Sequence, residues 1–306
     1  MRIEEARIIL KQHKRWFDTY NREGELANFE NLSLRRLNLT DAFLRNANFR
    51  FANLTQTKLK NANLIGADLS YANLRGADLR GADLRGANLS DAILGDEIMK
   101  ASLQFTRLDD ANLSNAILSF TNMGNSHLKF ANLSGAKLSC VNLFMADLSH
   151  AILINAVLNS ADLSEAILRH ADLSHANLSR ASLDSTKLNN ANLKHADLKY
   201  ATLRCSDLRD ANLKYADLRE TMLSQVSSAL PESTFIILGE KYFVSIFEDC
   251  VRAGSQAYLV SEWRQFSMEE LSAMKDFNIE FYPRLLDIID FYCGKGERPE
   301  WLKEQK

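Results

Sequence analysis

Ala67-Asp68-Leu69-Ser70-Tyr71, Ala72-Asn73-Leu74-Arg75-Gly76, Ala77-Asp78-Leu79-Arg80-Gly81 and Ala82-Asp83-Leu84-Arg85-Gly86 are four consecutive passes through one five-residue pattern. A period of five is neither the 3.6 of a helix nor the two of a strand. It describes a chain that turns a corner in every unit and winds into a coil. Internal repetition of this kind takes precedence over any residue-by-residue reading of secondary structure.

Taking the large apolar residue as the centre of each unit, centres run every five residues from Phe29 through Leu34 to Leu94, all Leu or Phe. A second run extends from Leu103 to Leu223, all Leu except Met123. Two residues before the centre, Ala fills 11 of the first 14 units and 18 of the next 25, and most exceptions are small, such as Thr57, Thr106 and Ser126. One residue before the centre, Asn or Asp dominates; after it come Ser, Arg, Lys and Gly.

This pattern resembles the pentapeptide-repeat family, with its A-(D/N)-L-x-x consensus, over about two-thirds of the chain. The resemblance implies a mainly β fold: a right-handed, quadrilateral, parallel β-helix with four units per turn. The chemistry agrees. Leu and the small residue before it fill a narrow core, where a second large side chain in each unit would overpack. Asn and Asp bond their own backbone at turns, which suits one corner per unit. No proline occurs before Pro231, as expected if every coil donates to its neighbours. About ten coils at the inter-strand spacing make a rod roughly 48 Å long.

The register breaks once. Leu94 and Leu103 are nine residues apart, one short of two units, across Gly95-Asp96-Glu97-Ile98-Met99-Lys100. A bulge or kink is expected there. Asp91, Asp96 and Glu97 match no cation-loop spacing.

Both ends of such a rod expose core and strand edges and need caps. Residues 1–24 form the expected helical cap, with Ile3, Ala6, Leu10, Phe17 and Tyr20 at roughly helical spacing. The segment resembles the Trp-containing helix that precedes bacterial pentapeptide coils. The coil then occupies 25–226, with its break near 95–100. Residues 227–306 abandon the repeat and read as a small α+β domain. Strands are expected at Phe235–Leu238 and Tyr242–Phe247 around Gly239-Glu240-Lys241. Ser267-Met268-Glu269-Glu270 has capping-box form, and a helix from about Pro283 closes at Gly294.

The 306 residues are 46% apolar with net charge −2, and no stretch is apolar enough to insert into a membrane. Cys140, Cys205, Cys250 and Cys293 show no metal or disulfide spacing, and the first residues have no signal-peptide character. A cytoplasmic protein is expected. No cofactor or metal is expected either. His150 and His170, and likewise His175 and His195, are twenty apart and stack on neighbouring coils, but each pair lacks a third ligand. The tail has no histidine to partner a cysteine, and no phosphate loop or nucleophile motif is present, so the chain does not read as an enzyme.

Two surface features stand out. A basic belt, Lys194, Lys199, Arg204, Arg209, Lys214 and Arg219, wraps the last coil and a half, interleaved with Asp197, Asp207, Asp210, Asp217 and Glu220. Nucleic acid is not an expected partner, because no basic excess or stacking aromatics accompany the belt. Phe105, Phe120, Phe130, Phe144 and Met145 gather at mid-rod on outward positions, and Ile117, Ile152, Val157 and Ile167 replace the usual Asn or Asp. A contiguous apolar patch marks a partner site. The expectation is a non-catalytic protein-interaction scaffold whose partner docks on the mid-rod residues, the belt or the tail. The alternative implied by the resemblance is a DNA mimic that occupies gyrase and gives quinolone resistance. It calls for an acidic rod, whereas residues 27–226 carry 22 Lys+Arg against 20 Asp+Glu. A further alternative is an activity housed in the tail.

Overall fold

A unit with Asn or Asp before its centre accounts for every N–H it carries. In the unit Leu69–Asn73, Leu69 and Tyr71 donate to the carbonyls of Asn88 and Ser90 one coil ahead, at 2.7 and 3.0 Å. Asn73 donates to Ala52 one coil behind, and Ala72 closes the turn on the carbonyl of Leu69. The fifth amide, of Ser70, donates to Oδ1 of Asp68 at 3.0 Å. That last bond is why Asn or Asp precedes the centre: its side chain is the acceptor that the turn's backbone lacks. Tyr71 has φ of 60°, and the same left-handed φ recurs at corner after corner from Asn31 to Glu220. A positive φ at the third residue is what a type II turn requires.

The computed structural model describes residues 3–223, 234–237, 242, 244–247 and 249–303. Parallel bridges link each unit to the one twenty residues ahead, from Asn28–Asn48 to Thr202–Met222. The core is the stack of centres with the small residues beside them, buried along the whole coil. Each buried Leu contributes about 1.5–3 kcal/mol of apolar transfer, an upper figure because the unfolded chain is itself partly collapsed. Where Thr replaces Ala, its hydroxyl is satisfied: Thr57 and Thr186 donate to the carbonyls of Leu34 and Leu163, both at 2.9 Å.

The register break is an insertion, not a shortened pair of units. Bridges across it step by twenty-four residues, as in Asp78–Ser102 and Asn88–Asn112, and the ladder resumes unshifted. The extra residues leave the corner as a loop closed by an antiparallel bridge between Gly95 and Lys100.

Helix α1, Ile3–Asp18, carries Glu4 and Glu5 in its first turn and Arg15 in its last, the arrangement that suits the helix dipole. Ala6 is buried, and Ile9 and Leu10 pack against the coil. Tyr20, expected on that face, is 89% exposed, because the helix ends at Asp18 and Tyr20 turns away at φ of 53°. His13 takes the central place. It is fully buried, and its Nδ1 accepts from the amide of Ala27 at 3.1 Å.

Beyond the coil, strands β1 (Thr234–Ile237), β2 (Val244–Phe247), β3 (Cys250–Ala253) and β4 (Gln256–Leu259) form an antiparallel meander in chain order. Helices α2 (Val260–Trp263), α3 (Met268–Ala273), α4 (Tyr282–Cys293) and α5 (Glu300–Lys303) follow. Ser267 and Glu270 cap α3 reciprocally, at 3.2 and 2.8 Å. Trp263 anchors a second core with Val244, Ile246, Val251, Tyr282, Leu285 and Leu286, and its indole donates to the carbonyl of Val251. Pro231, the turn Gly239-Glu240-Lys241, Leu238 and the boundary at 226/227 lie outside the described residues.

Candidate interaction surfaces

The corner residues form columns along the rod, because each stands twenty residues from its neighbour on the same left-handed turn. Aromatic rings in a column lie flat on one another. Phe130, His150 and His170 stack at centroid separations of 4.9 and 4.8 Å. His175, His195 and Tyr215 stack at 4.7 Å each, and Phe51 on Tyr71 at 4.9 Å. The histidines thus meet ring face to ring face, and among the described residues no group of three ligating side chains converges on a point. Burial, with the charges of His175, Lys194 and Arg252, holds His195 below the ordinary histidine pKa.

The mid-rod residues fall on three corners. Phe105 and Met145 share one column with Asn125 between them, and Phe144 precedes Met145 in its turn. Phe120 stands on the preceding corner and Phe130 on the following one. Phe105, Phe130 and Met145 are roughly half exposed or more, while Phe120 and Phe144 are half-buried.

The basic belt is largely neutralised by its own chain. Arg209 and Arg219 chelate the carboxylates two residues earlier, Asp207 and Asp217, at 2.7 Å. Lys199 pairs with Asp197, and Arg204 with Asp184 one coil behind. The hydrogen bond from Arg209 holds the Asp207 carboxyl below the usual carboxylate range. Lys194 has no carboxylate partner among the described residues.

Lys214 has a different role: its ammonium reaches Asp249 of the tail at 2.8 Å. Arg252, on β3, donates to the Tyr215 carbonyl at 2.8 Å and lies 3.7 Å from the Asp217 carboxylate. Burial pushes the neighbouring Cys250 thiol up to about 11, so it holds its proton at neutral pH. Docking of the basic belt against the acidic tail is a reading the charges allow, but nothing in the spacing links residues 214–217 to 249–252.

A family profile for pentapeptide repeats, in 8 copies, matches residues 27–64, 57–96, 106–143, 142–180, 176–214 and 191–227. The chain belongs to the pentapeptide-repeat family. Its coil is therefore the family's right-handed β-helix. Among solved members, HetL from the cyanobacterium Nostoc sp. strain PCC 7120, involved in heterocyst differentiation regulation, is 35% identical. That match covers 70% of this chain and 92% of HetL, with a TM-score of 0.40. QnrB1, a plasmid-mediated fluoroquinolone resistance protein, is 20% identical in a trypsin-treated form, covering 64% of this chain and 91% of QnrB1 with a TM-score of 0.47. Rfr23 from the cyanobacterium Cyanothece 51142 is 39% identical over 32% of this chain and 63% of its own, with a TM-score of 0.26. No curated protein matches the chain. Among the described residues of this pentapeptide-repeat protein, no helix is long and apolar enough to cross a membrane.

Proposed function

We propose that this chain is a non-catalytic protein-binding scaffold, a rod of about ten coils carrying a small α+β tail. The observation that supports it best is the stacking of corner side chains at 4.7–4.9 Å. A coil most of whose amides are engaged holds those side chains at fixed spacing, so a partner meets a surface whose ordering cost is already met. The partner is another protein, consistent with the part HetL plays in regulation. Its docking site is drawn from Phe105, Phe120, Phe130, Phe144 and Met145. The belt residues Lys199, Arg204, Arg209 and Arg219 contribute less, since each already holds a carboxylate. None of the four cysteines forms a disulfide, which fits a reducing cytoplasm.

The test is affinity capture of the intact protein from its host's lysate with quantitative mass spectrometry, beside Phe105→Asp/Met145→Asp and Phe130→Asp variants. A stoichiometric protein lost from one variant supports the reading and places the partner on that corner. Capture of nothing above background overturns it. If the captured protein is gyrase, a supercoiling assay decides for the DNA-mimic alternative.

A further inference from the structure

The loop inserted at Gly95–Lys100 is tied down at several points. Oδ1 of Asp96 accepts from the amides of Ile98 and Met99 at 3.0 and 2.7 Å. Its other oxygen takes the Arg75 guanidinium at 2.7 Å. Met99 lies over Gly76, and the Lys100 ammonium sits 5.5 Å above the Phe120 ring. Ile98 stands clear of these contacts, 90% exposed. An aliphatic side chain held out on a constrained loop has little further freedom to lose on binding.

The loop borders the face that carries Ile93 and Ile117 on successive rungs, then Lys137 and Val157. Beside Ile117 and Lys137 the neighbouring faces place Asn112, Asn122, Asn132 and Asn142, each of whose side-chain oxygens accepts from the amide of its turn. Charge on this surface is divided along the rod. Lys137 lies one rung above Ile117, and Asp91 precedes Ile93 one rung below it. Neither has an ion-pair partner among the described residues, whereas Arg107 and Lys129 are paired with Asp83 and Asp147.

A flat apolar face, positive at one end and negative at the other, is complementary to itself under a two-fold rotation. We infer that it binds a second copy of this chain, with the two rods antiparallel and Ile117 of each near the axis. That rotation carries Lys137 of one copy over Ile93 and Asp91 of the other. It keeps each corner on its own side of the interface, so Ile98 of one copy comes beside the corner of Phe120 and Cys140 on the other. The inference stands apart from the scaffold reading: a monomer can still dock a foreign partner, and a dimer still presents its other corners.

The test is sedimentation velocity on the full chain over a wide range of micromolar concentrations. The expected result is a dimer that dissociates on dilution. Ile117→Asp abolishes it without harming the coil, because Asp is an ordinary residue at that place in the unit. Lys137→Glu weakens it about tenfold through like-charge opposition to Asp91, and Asp91→Lys in the same chain restores it. A monomer at every concentration overturns the inference. So does a dimer that survives Ile117→Asp, which moves the contact elsewhere.

Discussion

The guanidinium of Arg252 in the tail donates to the main-chain carbonyl of Tyr215 in the rod across 2.8 Å. Both sides of that bond are withdrawn from water, and the charge it brings is balanced by Asp217, which Arg219 already chelates. Burial disfavours the Asp217 carboxylate, but the Arg219 hydrogen bonds and the charge of Arg252 outweigh it and hold its pKa below the ordinary range. The tail is thus seated by one carboxylate shared between two guanidinium groups.

Asp217→Asn leaves Arg252 buried with a neutral neighbour. The expected loss is about 2–3 kcal/mol, in the range for hydrogen bonds to buried charged groups. A urea titration followed by tail fluorescence, with Trp263 fully buried as the reporter, measures it. An unchanged midpoint removes Asp217 from the seam.

His13 gives the N-terminal cap a pH dependence. Desolvation holds its pKa below the ordinary 6.5, so the folded cap refuses a proton that the unfolded chain accepts. Its stability is therefore complete above 6.5 and declines as pH falls below that value. The hydrogen-exchange protection factors of the α1 amides, with the intrinsic pH dependence of exchange divided out, fall in that window by up to about tenfold per pH unit. His13→Gln, which keeps an acceptor for Ala27, removes the dependence; if it persists, another group is titrating.

The coil was legible because one short-range rule generates it: Leu69 must be buried, and Asp68 must bond Ser70. Each unit states that rule within five residues. The pairing across the seam and the place of His13 within the cap were not legible for the converse reason. Arg252 meets Tyr215 only through tertiary docking, and His13 is polar at a position where helical periodicity seeks an apolar residue. Strands β3 and β4 were missed although Gly254-Ser255 is a two-residue hairpin signal between Ala253 and Gln256. The mid-rod aromatics are close in sequence, but a four-cornered coil sends successive units to different sides. Phe105 and Met145 come to share a corner, and Phe120 and Phe130 do not join them.

Two glycines separate space from conformation. At Gly95 an added Cβ meets the Ser119 carbonyl oxygen at 2.5 Å and Thr121 Cγ2 at 2.7 Å. Gly95→Ala is expected to lift the loop from the coil at a cost of about 1–3 kcal/mol. Gly86 has φ of 62° and nothing within 4 Å of an added Cβ. Asn tolerates that φ, so Gly86→Asn stays within about 0.5 kcal/mol of the parent. Thermal melting of both variants checks the contrast, and equal losses refute it.

The last prediction links stability to the proposed dimer. Asp68 accepts from the Ser70 amide at 3.0 Å and from its hydroxyl at 2.6 Å. Asp68→Ala strands that amide and should cost about 1 kcal/mol, the usual loss when a turn or cap acceptor is removed. Ile117 occupies the equivalent place in its own unit and offers the Ser119 amide no side-chain acceptor. Ile117→Asp supplies one, so this variant is expected to gain up to about 1 kcal/mol while losing self-association. A coil that forgoes a turn bond at Ile117 gives up stability for a surface. If Ile117→Asp instead melts lower than the parent, the isoleucine serves the fold and the face need not bind anything.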